Sequence, residues 1–119
     1  MKRMQTLNAF WNSFGILAYD EGSVPEDAKL PYITYSAGQD FFGSSVSLYA
    51  DIWYKGDSWE DIENKLEQVT NRITSGGITV PYDGGGMIIR PGSPYASRVR
   101  DELDYIRRIR VNVEIEFVN

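Results

Sequence analysis

The sequence predicts an α+β domain: a largely antiparallel sheet of about five or six strands packed with two helices, in the order α-β-β-β-α-β-β-β. Three observations lead there. Apolar residues recur at spacings of three and four over 2–14 and 58–74, the period of a helix with one buried face. They alternate strictly with polar residues over 45–56 and 105–118, the period of a strand with one buried face. Turn-forming Gly and Pro punctuate the chain at 20–29, 75–77, 83–86 and 91–94.

Taken in order, the first helix runs from Lys2 to Phe14, with Met4, Leu7, Phe10, Trp11 and Phe14 on its apolar face and Gly15 placed to end it. "ILAY" (16–19) reads as a short strand, and "DEGSVPEDAK" (20–29) as an exposed acidic loop. "PYITYS" (31–36) is rich in β-branched and aromatic residues and reads as a strand. "AGQDFFGS" (37–44) turns the chain into the alternating strand 45–56, which sets Val46, Leu48, Ala50, Ile52 and Tyr54 against Ser47, Tyr49, Asp51 and Trp53. The second helix begins at Ser58, a good N-cap with Asp61 three residues on. Its stripe is Ile62, Leu66, Val69 and Ile73, joined by Trp59, and Ser75-Gly76-Gly77 stops it. "ITVPY" and "MIIRP" flank Asp83-Gly84-Gly85-Gly86 as a hairpin, and Pro81 places the first of these strands at a sheet edge. Residues 91–104 read as a long mobile loop. The last strand points Ile109, Val111, Val113, Ile115 and Phe117 inward, and Arg108, Arg110, Asn112, Glu114 and Glu116 outward. Trp11, Phe14, Trp53 and Trp59 are all expected in the core.

Composition narrows the chemistry. The 119 residues fit one domain, 1–119, with 42% hydrophobic and 24% charged residues. No run approaches the roughly 18 apolar residues of a membrane helix, and the start lacks a signal-peptide core, so neither membrane nor export is expected. The sequence contains no Cys and no His, which removes thiolate chemistry and the commonest general base. "DGGGM" invites a phosphate-loop reading, but Met87-Ile88-Ile89 follows it, a strand where a nucleotide motif needs Lys-Ser/Thr or a helix. Asp101, Glu102 and Asp104 lack the EF-hand spacing and sit among arginines, so a solvated charge cluster is the better reading than a metal site. The pairs Asp20/Glu21 and Glu26/Asp27 lie in an exposed loop, without the apolar pocket that an acid catalyst needs. No enzyme activity, cofactor or metal is expected.

Charge is unevenly spread. Six of the 12 basic residues fall within 90–110, namely Arg90, Arg98, Arg100, Arg107, Arg108 and Arg110. Against Asp101, Glu102 and Asp104 they leave +3, so the rest of this −5 chain sums to −8. Phosphate contacts need Lys and Arg, but the acidic remainder repels nucleic acid and no nucleic-acid motif accompanies the arginines. An Arg-rich protein interface is the better reading, with Tyr95 a lesser candidate for the same surface.

The phrases "FGILAYDEGSVPEDAKLPYITYS" and "VSLYADIWYKGDSWEDIENKLEQVTNRI", with the ending "GSPYASRV…DYIRRIRVNVEIEF", follow one another across nearly the whole chain. In wording and spacing the chain resembles the small tail-terminator proteins (minor capsid or tail-completion proteins) of long-tailed phages and prophages of Gram-positive bacteria. The resemblance implies a structural virion protein without catalytic residues, in the host cytoplasm before assembly and at the head–tail junction after it. It implies a ring, usually of six subunits, that ends polymerisation of the tail tube and presents a surface to the head-completion (neck) protein. Its partners would be itself, the tail tube protein and that neck protein. Another phage neck protein and a non-viral soluble protein-binding domain are the alternatives. A ring needs two different faces per subunit, and opposite charges on them select register. Arg98, Arg100, Arg107 and Arg108 are therefore expected on one face, opposed by Glu60, Glu63 and Glu67 of a neighbouring copy.

Overall fold

A computed structural model describes residues 1–37 and 45–119; the turn expected over 37–44 lies almost wholly outside them. Helix α1 (Arg3–Trp11) runs into a 3₁₀ turn (Asn12–Phe14) that Gly15 closes at φ +84, a left-handed conformation that favours glycine. Strands β1 (Leu17–Asp20), β2 (Tyr32–Tyr35) and β3 (Ser45–Lys55) follow, then helix α2 (Glu60–Ile73) and strands β4 (Ile78–Tyr82), β5 (Gly85–Val99) and β6 (Ile106–Val118). All six strands form one sheet in the order β1-β2-β3-β6-β5-β4. The class is α+β with two helices, and the sheet is mixed: β1 and β2 run parallel, whereas the other neighbouring pairs are antiparallel.

Register explains why one face is dry. Ala18, Ile33, Ile52 and Ile109 lie side by side across four strands, and each is buried. Both helices cover this face. Helix α1 crosses from β4 to β1, and α2 lies over β3, β5 and β6. Helix α2 contributes Ile62, Val69 and Ile73, each worth about 1.5–3 kcal/mol when fully buried. The Ser58 hydroxyl accepts the Glu60 N–H at 3.0 Å, so the expected cap serves a helix that starts slightly later. From α1, Phe10 packs edge-on to Trp11 and Phe14, at 5.0 and 5.4 Å between ring centroids.

The edges of the sheet are blocked. Strand β4 is an edge, as Pro81 predicts, and Pro81 offers no N–H. At β1, the Asn12 side chain stands in for a missing strand: its amide donates to the Ala18 carbonyl at 3.1 Å and accepts the Ala18 N–H at 2.9 Å. The Asp20 carbonyl beyond it accepts the Ser23 N–H.

Three sequence expectations change. The loop expected over 91–104 is mostly strand: β5 extends to Val99, leaving only residues 100–105 as its connection to β6. A bulge makes this possible. Pro91 opposes Val113 and Ala96 opposes Val111, so the residues between them bow out of the ladder and no N–H is required of Pro94. Gly92 fits because a Cβ there would stand 2.9 Å from the Asn112 carbonyl oxygen, and the Asn112 amide ties the bulge to Pro94 O at 3.1 Å. Met4 is exposed, because α1 begins at the rim of the sheet. Trp53 and Trp59 are half-buried instead of core, each lying beneath arginines.

Candidate interaction surfaces

The face of the sheet away from the helices has no cover of secondary structure among the described residues. Alternation in β3 and β6 loads it with polar and aromatic side chains, and register decides which of them meet. Asp51 opposes Arg110 across the two central strands. The Arg110 guanidinium donates Nε to Asp51 Oδ1 at 2.9 Å and a terminal nitrogen to Oδ2 at 3.0 Å, a bidentate fork. Arg108 approaches Oδ2 at 3.7 Å. Asp51 is only 4% exposed, so the two arginines form a lid over a buried carboxylate. Its hydrogen bonds push the Arg110 pKa above its usual value.

This pairing is the centre of a longer chain of contacts. The Arg110 guanidinium lies 4.0 Å from the Tyr49 ring centroid, and the Tyr49 hydroxyl donates to the Glu21 carboxylate, at 2.7 Å from Oε2. That bond, followed by burial, raises the Tyr49 pKa. Arg108 stacks on Trp53 at 4.7 Å, and Trp53 Nε1 donates to Thr34 Oγ1 at 2.9 Å. Tyr19, Tyr32 and Trp53 continue as an aromatic ladder across three strands, with centroids 5.8 and 6.4 Å apart. Further along, Arg90 pairs with Glu116 and Ser47 donates to Glu114. The charges of this face largely neutralise one another.

Consecutive strand residues point to opposite faces. Arg107 and Arg108 therefore cannot share a surface, and the expected single arginine face divides. Arg108 is on the open side. Arg98 and Arg107 are on the helix side, where both guanidinium groups lie against Trp59, at 4.4 and 5.3 Å from the ring centroid. Arg107 also donates to the main-chain carbonyls of Asp57 and Asp104, tying two loops together. Arg98 pairs with Glu63 at 2.9 Å within the same chain, so the pairing expected between neighbours is met at home. Arg100 stands at the β5–β6 tip with no ion pair among the described residues, and Glu60 and Glu67 are exposed on α2, likewise without one. Tyr95 is half-buried, its hydroxyl 2.9 Å from Thr70 Oγ1, where it fastens the bulge to α2. Burial raises its pKa.

The sequence alone does not single out Asp51, Arg110, Tyr49 and Glu21 as a cluster. Alternation placed the first three on outward positions, but only the β3–β6 register joins residues 59 apart in sequence. The glycine run is a turn: Asp83 and Gly84 link β4 to β5, with Gly84 at φ +87. A Cβ on Gly85 would fall 2.1 Å from the Val118 carbonyl oxygen, so close backbone approach accounts for that glycine. No group of three or more potential metal ligands is assembled among the described residues. No protein-family model matches the chain, and no curated protein matches its sequence.

Proposed function

We propose that this chain is a structural subunit of a phage tail, a tail-terminator that forms a ring, of six copies by the family resemblance, at the head-proximal end of the tail tube. The ring ends polymerisation of the tube and offers its other side to a neck protein. The observation that carries this reading is the one-sided sheet. Its open face is spread over several strands and stiffened by the Asp51–Arg110–Tyr49–Glu21 chain and the Tyr19–Tyr32–Trp53 ladder. A surface fixed in advance loses little entropy on docking, which suits a part that is repeatedly assembled. We read the order α-β-β-β-α-β-β-β and the antiparallel majority of the sheet as features of that design. The function is assembly, without catalysis or cofactor.

Deleting the gene in its phage should give headless tails of irregular, extended length in electron micrographs. Tails of normal length that fail to join heads would assign the chain to the head side of the neck instead. Saturable, stoichiometric binding of ATP or GTP by calorimetry would overturn the non-enzymatic reading.

A further inference from the structure

The large apolar side chains left exposed are not scattered. Met1, Met4 and Val118 lie at the end of the molecule that carries the β4–β5 turn, whereas Leu17, Leu103 and Tyr105 lie at the opposite end. Strand β5 spans the distance between them, beginning beside the turn at 83–84 and finishing beside the tip at 100–105, in a body 44 Å long.

The two ends differ in shape and charge. The tip is a finger made by the β5–β6 connection, carrying Leu103 at 49% and Tyr105 at 48% exposure among Asp101, Glu102 and Asp104, with Arg100 beside them and the Lys55 ammonium 5.8 Å from the Tyr105 ring centroid. None of those three carboxylates has a cationic partner among the described residues. The other end is a cleft of about 550 Å³ between the start of α1 and the β4–β5 turn, lined by Lys2, Arg3, Met4 and Tyr82. Arg3 is held there by the Tyr82 hydroxyl and the Phe117 ring, and neither it nor Lys2 has a carboxylate partner among the described residues. The nearby carboxylate of Asp83 is already paired with the Met1 amino group. The arginines that would make the obvious interface, Arg98, Arg108 and Arg110, have their carboxylates within the chain. Unmatched charge of opposite sign lies beside exposed apolar groups at the two ends: three carboxylates against Arg100 at the tip, and Lys2 and Arg3 at the cleft. Glu60 and Glu67 on α2 are also unpaired among the described residues, but no large apolar side chain is exposed on that helix.

We propose that copies of this chain join end to end, the Leu103/Tyr105 finger of one seated in the Lys2/Arg3/Met4 cleft of the next. Leu103 and Tyr105 supply the apolar contact, and Asp101, Glu102 and Asp104 face Lys2 and Arg3. The two surfaces are different, so each joint leaves one finger and one cleft free, and a series of joints closes into a ring or grows as a filament. Closure into a ring rests on the tail-terminator reading; the joint itself does not.

The test uses two variants with exposed substitutions. Leu103→Asp with Tyr105→Asp disables the finger and leaves the cleft, whereas Lys2→Glu with Met4→Glu disables the cleft and leaves the finger. Light scattering behind size-exclusion chromatography should find each variant monomeric where the parent is assembled, with unchanged circular dichroism. An equimolar mixture has one sound joint and should form a 1:1 dimer. As an independent measurement, Met4→Cys with Leu103→Cys places the only thiols of the chain at opposite ends, too far apart to bridge within one copy. Oxidation should give a ladder of disulfide-linked copies. If the parent assembles and both variants assemble like it, or the mixture stays monomeric, or no ladder forms, the joint is wrong while the ring reading stands. A parent that is monomeric at every concentration and salt tested overturns the joint, and the ring reading is then decided by the lengths of tails made without the gene.

Discussion

Asp51 shows what a single side chain does here. It is buried on the face expected to be wet, where the fork of Arg110 satisfies both of its oxygens and Arg108 stands 3.7 Å from one of them. Breaking a buried pair leaves an uncompensated charge, whereas an exposed pair contributes little. Arg110 is partly open to water, which lowers the cost below that of a fully buried pair. We expect Asp51→Ala to lose about 2–3 kcal/mol of unfolding free energy in urea, and Glu63→Ala, which cuts the exposed pair with Arg98, no more than about 1 kcal/mol. Equal losses would show that the open face is not organised around Asp51. The tyrosines give a pH signature. The pKa values of Tyr49, Tyr54 and Tyr95 are all raised, the first by its bond to Glu21 and the others chiefly by burial. The native state therefore holds protons that the unfolded chain releases above about pH 10. Stability from this source is complete below that pH and falls as pH rises through the native values. Tyrosinate absorbance should show a late-titrating class, reduced in Tyr49→Phe, and unfolding should become easier over the same interval.

The β1 edge carries the clearest prediction for a single element. It has four residues and one strand neighbour, β2, and on its open edge the Asn12 amide takes the place of a second. Asn12→Ala removes two hydrogen bonds to Ala18 and bares an edge N–H, at a cost of about 1–3 kcal/mol. Amide exchange at Ala18 should accelerate while the β3–β6 ladder stays protected; unchanged exchange at Ala18 would deny the clamp its role. Elements of this fold were legible where a period ran unbroken. Strands β3 and β6 and the stripe of α2 announce themselves by spacing, and Pro81 marks an edge strand. The second half of β5 was not legible, since Pro91, Gly92 and Pro94 read locally as breakers, and only the ladder of Ala96–Val99 against Arg108–Val111 restores the strand. The same limit hid the Asp51 cluster. Alternation says which way a side chain points, and the sheet order says what it meets.

At the scale of the molecule, the order β1-β2-β3-β6-β5-β4 places the last strand in the middle of the sheet. Among the described residues strand β6 alone joins β3 to β5, pairing with β3 from Lys55↔Ile106 to Ser45↔Glu116 and with β5 on its other side. It also buries Ile109, Val111, Val113, Ile115 and Phe117 in the core shared by both helices. At about 1.5–3 kcal/mol for each such side chain, the burial lost with this strand is as large as a typical domain's net stability of about 5–15 kcal/mol, before the entropy of ordering its residues is set against it. A fragment ending at residue 104 keeps every other element, yet its sheet is two separate pieces, β1-β2-β3 and β4-β5, with the apolar faces of both uncovered between them. We expect fragment 1–104 to be unfolded, with collapsed amide dispersion in NMR spectra and no cooperative melt by circular dichroism. Adding a peptide of residues 105–119 should recover structure, because the tip at 100–105 lies outside the ladders that the peptide must form. A fragment 1–104 that melts cooperatively on its own would mean that the core is divided between two independent halves, and that β6 joins them without completing either.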